Sequence, residues 1–262
     1  PVCTDCRCHY PGLIFNMENI YESNKLLGEY LLFHYGEDSQ VMPWADGPQS
    51  ALQFPSRSVH ELVDLSSLPR NGGSRALDVG CAVGRSSFEM SSLCDSVTGC
   101  DLSESFISAA QILLDQGELS YQYLEEGDLY QNGLAKANVM AGKKISFLVA
   151  DACSLPMELK EFDLVHAANL ICRLPEPKLF LDRLPDLVKP GGQLLLATPF
   201  TWLEEYTPKQ NWIGCGNSEE TLKEILKSHF ELEKKVEIPF VIREHRRKFQ
   251  FSVSLGTRWR RI

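Results

Sequence analysis

The segment 76–84, Ala-Leu-Asp-Val-Gly-Cys-Ala-Val-Gly, restricts what this chain can become more than any other stretch. A short apolar strand over 75–79 runs into a turn with glycine at positions 80 and 84, and a helix over 84–93 follows. A strand that stops at glycines and restarts as a helix opens an α/β sheet. Gly80 and Gly84 let backbone approach a bound ligand with no Cβ in the way. The start of the helix adds free N–H groups beside that ligand. A second strand, 96–100, ends in Asp101, where a carboxylate can take the two hydroxyls of a ribose.

The dinucleotide fingerprint G-x-G-x-x-G is not met, because Ala82 stands where its second glycine lets a pyrophosphate approach. The pattern is instead D-x-G-x-x-x-G, with Asp78 ahead of the glycines. It resembles the first motif of the class I S-adenosylmethionine (SAM) methyltransferases. A carboxylate suits a ligand with a cationic sulfonium and an aminoacyl group, and would repel a pyrophosphate. A nicotinamide-dependent oxidoreductase is disfavoured on the same two residues.

The rest of the chain alternates as such a fold requires. Helix 103–115 with Ser103 as N-cap, strand 145–149, strand 162–167, helix 177–188, strand 193–198, helix 218–228 and strands 230–238 and 247–256 follow in order. The expected architecture is α/β: a Rossmann-like, mostly parallel seven-stranded sheet with an antiparallel C-terminal edge and an N-terminal helical cap. In the cap, a helix over 21–35 ends at Gly36, 36–55 reads as loop, and a second helix spans 56–65. The polar stretch 117–144 reads as an insertion with a helix near 129–140. The division is 1–18 as a non-family N-terminal segment without periodicity and 19–262 as one domain, with 19–70 the cap and 71–262 the core.

Ligands of open α/β sheets bind outside the carboxyl ends of the strands. Those ends carry Asp78, Gly80, Cys81 and Gly84; Asp101 and Leu102; Asp151 and Ala152; His166 and Asn169; then Thr198 and Phe200. An acid after each of the first three strands fits a nucleoside-bearing ligand, with Asp151 placed to accept the adenine amino hydrogens. Arg57, Arg173 and Arg243 are candidate carboxylate clamps. Tyr21, Tyr30, Tyr35, Trp202, Tyr206 and Trp212 are candidate aromatic walls, and His34, His166 and His245 candidate bases.

A net charge of −9 argues against a general nucleic-acid surface. No apolar run approaches the ~20 residues that span a bilayer, and no secretory leader pattern is read at the N-terminus. Cys81, Cys94, Cys100, Cys153, Cys172 and Cys215, scattered through the α/β body, suit reduced thiols, so a cytoplasmic enzyme is expected. Cys3, Cys6 and Cys8 crowd against His9, but no second cysteine pair completes a zinc site, and no metal is expected.

Several segments are more specific. YESNKLLGEYLLFHYG (21–36), AANLICRLPEP (167–177), RLPDLVKPGG (183–192), TWLEEYTP (201–208) and IREHRRKFQFSV (242–253) resemble the C-terminal methyltransferase domain of the ovothiol-biosynthesis enzyme OvoA and its stand-alone mercaptohistidine methyltransferase relatives. The resemblance implies SAM as cofactor and transfer of its methyl to a ring nitrogen of 5-thiohistidine, forming ovothiol A. It also implies a sulfoxide-synthase domain as partner in a longer chain. The residues carried forward are Asp78, Gly80, Cys81, Gly84, Asp101, Leu102, Asp151, Ala152 and Asn169 for SAM. Tyr21, Arg173 and Arg243 are carried forward for the substrate, and Asn169, Tyr206 and His245 for catalysis. Another imidazole, small-molecule or peptide acceptor, or SAM binding without turnover, is the alternative.

Overall fold

The computed structural model describes residues 23–69, 72–139, 142–214 and 216–262. Strands appear where aliphatic residues run between polar breaks. In β1 (Arg75–Val79) every residue after Arg75 is buried, and β6 (Phe162–Ala168) is buried from Phe162 to Ala167. Burial on both faces marks central strands of a covered parallel sheet. Seven strands make this sheet: β2 (Ser96–Asp101), β5 (Lys144–Val149), β7 (Val188–Thr198), β8 (Phe230–His245) and β9 (Lys248–Arg261) join β1 and β6 in the order β5-β2-β1-β6-β7-β9-β8. The first five pair in parallel, and β9 runs antiparallel to both β7 and β8. The expected class I SAM methyltransferase fold, with its antiparallel edge, is what forms.

Helices α4 (Arg85–Ser91), α5 (Glu104–Gln116), α6 (Pro177–Leu187) and α7 (Ser218–Leu226) connect the strands close to the expected positions. Ser103 caps α5 by accepting the Phe106 N–H at 3.1 Å. The core on one face of the sheet gathers Leu77, Val165, Phe180, Leu184, Leu194 and Trp259. On the other, Met90, Val97, Leu164 and Leu195 pack with the cap residues Phe54 and Val59.

The cap departs from expectation. Helix α1 (Asn24–Tyr35) is present, with Ser23 as its N-cap. The following segment is not all loop, because α2 (Asp38–Val41) lies inside it, and α3 spans Phe54–His60 rather than 56–65. The insertion is a hairpin of β3 (Glu118–Glu126) and β4 (Leu129–Lys136), not a helix. Tyr121, Tyr123 and Glu125 alternate inward, and the Tyr121 ring fills the space over Gly133, where a Cβ would come within 2.3 Å. Strands β8 and β9 are also longer than expected. Leu255 pairs with Thr198, the last residue of β7, so residues 248–254 run on past the carboxyl edge of the sheet. Seven residues of strand cover about 23 Å at ~3.3 Å each. This arm, α1, α2 and the hairpin share one apolar cluster with Ala82 and Val83 of the glycine turn. The cap therefore rests on the turn.

Candidate active site

The chain reverses direction across the sheet between β1 and β6, and the crevice at their carboxyl ends is the expected ligand position. The glycine turn on its floor is tied to β2: the N–H groups of Gly80 and Cys81 both donate to the Cys100 carbonyl, at 2.8 and 3.0 Å. Gly80 and Gly84 have φ of +74° and +87°. At Gly84 a Cβ would come within 2.9 Å of the Phe147 ring and 3.0 Å of the Ala110 Cβ, so both backbone conformation and space demand glycine. Ala82 adopts φ +47° without that licence, and its N–H donates to Asp101 Oδ2 at 2.9 Å.

The three acids divide into two kinds. Asp101 stands at the edge, half-buried, with Oδ1 accepting from the Ser103 N–H at 3.0 Å. Burial raises its pKa above the ordinary carboxylate value, and the Ser103 and Ala82 N–H groups oppose that rise. Leu102 beside it is an exposed apolar side chain. Asp151, half-buried, caps a 3-10 turn at Ala152–Ser154, with Oδ1 accepting the Cys153 N–H at 2.8 Å. These two partly exposed carboxylates, beside exposed Leu102, fit the ribose and base of SAM.

Asp78 is different, and the expectation that it holds the cofactor needs correction. It is 1% exposed, and both oxygens are occupied inside the protein. Ser87 donates to Oδ2 at 2.7 Å, and His166 Nδ1 lies 2.8 Å from Oδ1. His166 Nε2 lies 3.0 Å from the hydroxyl of Ser58, on α3. Hydroxyl, imidazole and carboxylate follow the order of a nucleophilic triad. All three are buried to 1% exposure or less, so no acyl group reaches the hydroxyl. The chain of contacts ties α3 of the cap through β6 and β1 to α4. Cys81, in the turn itself, has its thiol buried, which raises its pKa well above the ordinary value.

On the other side of the crevice, Asn169 ends β6 at φ +54°, and the Ser254 hydroxyl donates to its Oδ1 at 2.6 Å. Arg173, half-buried in the next turn, donates to the Thr201 carbonyl at 2.7 Å and to its hydroxyl at 3.3 Å. Its guanidinium lies 5.0 Å above the centre of the Tyr206 ring. Among the described residues it meets no carboxylate. Tyr30 of α1 closes the crevice from above. Burial first, then the nearby Asp101, raises the pKa of its phenol, and Arg173 opposes that rise. Tyr30 was one of several aromatic candidates, and its place between Asp101 and Arg173 was not legible in the sequence.

One expected substrate residue, Arg243, and one expected catalytic residue, His245, are elsewhere. Arg243 does clamp a carboxylate, but it is the chain's own Glu125, on the hairpin. It also donates to the Gln40 carbonyl at 2.5 Å and is 4% exposed. His245 sits in the turn that joins the far ends of β8 and β9, where its Nδ1 accepts the Arg247 N–H at 3.1 Å. Neither reaches the crevice floor. Tyr21, the cysteine-rich start of the chain and Cys215 lie outside the described residues. Arg57 is held by Glu61, by the Ser50 and Leu52 carbonyls of the cap and by the Pro239 carbonyl of β8. Among the described residues no group of histidine, cysteine and acid side chains could hold a metal, and no helix is long and apolar enough to cross a membrane.

A family model described as a methyltransferase domain matches residues 77–196. This stretch is a SAM-dependent methyltransferase domain. It runs from the glycine turn through the last parallel strand and so contains Asp101, Asp151, Asn169 and Arg173. Curated relatives include ubiquinone biosynthesis O-methyltransferases of Coxiella burnetii, 29% identical over 126 residues, and of Dechloromonas aromatica, 32% identical over 128 residues. Each alignment covers 48% of this chain and 44% of the relative, so the chain spans under half the length of these relatives. Among solved structures, a SAM-dependent methyltransferase from Methanosarcina mazei superimposes with a TM-score of 0.53 at 19% identity, covering 76% of this chain and 96% of that one. Magnesium protoporphyrin IX methyltransferase from Synechocystis, with SAM bound, gives 0.52 at 17% identity, covering 92% and 98%. These likenesses establish the fold of the methyltransferase domain and leave its acceptor open.

Proposed function

We propose that the chain methylates a ring nitrogen of 5-thiohistidine. The observation that carries this reading is Arg173. A half-buried guanidinium held by Thr201 over Tyr206, with no carboxylate partner among the described residues, stands ready for the α-carboxylate of an amino acid. The resemblance of the segments around Asn169, Arg173 and Tyr206 to mercaptohistidine methyltransferases supports the same substrate.

Asp101, Leu102, Asp151 and Ala152 hold the nucleoside, and Asn169, following β6, stands between cofactor and acceptor. SAM supplies a methyl carbon on a sulfonium, and as the acceptor nitrogen bonds to that carbon the sulfur leaves with the C–S electron pair. The protein's part is to align the two and keep water out. Proton balance favours a thiolated imidazole. In its anionic form the ring carries one N–H and one lone pair. Methylation at the lone pair leaves an imidazolium next to a thiolate, so no proton has to leave. A separate base is then unnecessary, which agrees with His245 standing at the end of the arm.

The test is mass spectrometry of products after incubating the chain with SAM and 5-thiohistidine, with plain histidine and a catechol as alternative acceptors. One methyl gained by 5-thiohistidine alone, assigned to ring nitrogen by NMR, supports the reading. Methylation of the catechol alone would move the chain toward the O-methylation named in its relatives.

A further inference from the structure

Beyond β7 the chain runs through Phe200, Thr201 and Trp202, and these side chains part company. Thr201 serves the crevice, giving Arg173 a carbonyl at 2.7 Å and a hydroxyl at 3.3 Å. Phe200 and Trp202 instead line a cavity of about 570 Å³, together with Lys209, Trp212, Ser218 and Glu219. None of Asp101, Asp151, Asn169 and Arg173 lines it. Its volume lies within the range of small-molecule sites.

The aromatic side of this cavity is held rigidly. Phe200 has φ +51°, which a bulky L-residue adopts only under constraint. Its N–H donates to Thr198 Oγ1 at 3.2 Å, and its carbonyl accepts the Trp202 N–H at 2.9 Å. The Trp202 indole N–H donates to Ser218 Oγ, at the start of α7, at 3.0 Å. The Trp212 indole N–H donates to the Thr207 carbonyl at 2.7 Å. The two rings have centroids 6.5 Å apart and planes inclined by 21°. An indole carries a single donor, and both are taken inside the protein. The half-buried rings therefore offer a ligand apolar surface at fixed positions, with little ordering left to do on binding.

Charge decides which ring compound fits. Glu219 is the acid of the cavity, and its Oε1 is shared by Lys223 at 3.0 Å and Lys235 at 2.9 Å. Lys209 is exposed, with its ammonium above the Trp212 ring, 5.9 Å from the centre. Among the described residues no carboxylate pairs with it. Its flexible stem can carry the charge from the ring to an anion beside it. A cationic ligand would meet an acid already neutralised and an ammonium that repels it. An anionic ligand meets the ammonium without a competitor.

We propose that this cavity is a second ligand site, which binds a planar aromatic carboxylate with its ring against Trp202 and Trp212 and its carboxylate on Lys209. The site stands apart from the 5-thiohistidine reading, and its test uses no methyl acceptor.

The experiment follows the four tryptophan indole N–H signals of the isotope-labelled chain by NMR, assigned through Trp44→Phe, Trp202→Phe and Trp212→Phe. The probe is 2-naphthoate, compared with neutral 2-naphthamide and cationic phenyltrimethylammonium. Trp44 is the internal control, because it too lies beside cations, with Arg246 and Arg247 at 5.7 and 5.2 Å from its ring centre. 2-Naphthoate should shift the Trp202 and Trp212 signals with a Kd of about 1 mM or tighter, and Trp44 far less. Lys209→Met and 2-naphthamide should each weaken binding about threefold, as loss of an exposed charge pair does. Saturating S-adenosylhomocysteine should leave the Kd within about twofold. Silent Trp202 and Trp212 signals overturn the inference. So does an equal shift at Trp44, which would mean that naphthoate seeks any indole beside a cation. Tighter binding of phenyltrimethylammonium or an unchanged Kd in Lys209→Met overturns the assignment of the ligand as an anion. Loss of naphthoate binding when S-adenosylhomocysteine fills the crevice would show that there is no second site.

Discussion

Single residues in this crevice do different work from their neighbours of the same type. Arg173 and Arg243 are both arginines within reach of an aromatic ring, yet only Arg243 has a carboxylate, Glu125. Arg173→Ala should raise the acceptor KM more than tenfold, about the 1.5–3 kcal/mol of a charge-assisted hydrogen bond, while SAM Kd moves less than threefold. Equal losses in both would place Arg173 in the fold rather than at the acceptor. Asp78 and Asp101 make a second contrast. With His166 removed, Asp78 becomes a buried carboxylate with one hydroxyl for company. His166→Leu should cost about 3 kcal/mol in urea unfolding, and adding Asp78→Asn should return much of it. Additive losses would show that the two do not act as a pair. Ala82 carries the reverse burden, an L-residue at φ +47°. Ala82→Gly should leave stability unchanged or raise it by up to about 1 kcal/mol, since the left-handed conformation suits glycine and the greater freedom of the unfolded chain offsets part of the gain.

At the level of elements, the hairpin and the arm hold each other through Glu125. That carboxylate meets Arg243 and, at 2.7 Å, Arg246, whose N–H also donates to the Glu125 carbonyl. Its pKa is held below the usual carboxylate value by the hydrogen bond from Arg246 and then by Arg243, against the cost of burial. The folded-state value being the lower one, this stabilisation is complete above the unfolded pKa, about 4.3, and fades as pH falls through the folded value. Amide exchange in 118–136 should accelerate relative to β1 and β6 as pH drops below about 4, after correction for intrinsic rates. Glu125→Gln should show the faster exchange already at pH 7. The sequence hid this hairpin for a physical reason. Its inward side alternates Tyr121, Tyr123 and Glu125, so the period-two signal ends on a charge that only a strand arriving from residue 243 can satisfy. Strand ends were legible because glycines and acids mark them locally, as at Gly80, Asp101 and Asp151. The Ser58–His166–Asp78 contacts were not, since Ser58 and His166 lie 108 residues apart and nothing local in either segment announces the other. The same holds for Tyr30, whose place near Asp101 depends on the face of α1 that packs Gly28 against the Gln122 carbonyl of the hairpin.

The molecule as a whole is a sheet whose carboxyl edge forms the crevice and a cap that rests beside it, and the two meet at the glycine turn. The cap's apolar cluster includes Ala82 and Val83, and Tyr35 adds a hydrogen bond to the Val83 carbonyl. A ligand that occupies the crevice therefore stabilises the turn, and the turn stabilises the cap. A binder of the folded state adds RT ln(1 + [L]/Kd), about 2.7 kcal/mol at a hundredfold excess over Kd. In this architecture part of that gain should appear as slower amide exchange in α1 and the hairpin as well as in β1 and β2. Tyr35→Phe cuts the hydrogen bond between cap and turn while keeping the ring. Losing a bond worth about 1 kcal/mol should speed S-adenosylhomocysteine release roughly fivefold and reduce the protection that the ligand confers on 24–35, with little change in β1. If α1 gained the same protection from ligand in Tyr35→Phe as in wild type, the cap would be answering to the ligand directly and not through the turn.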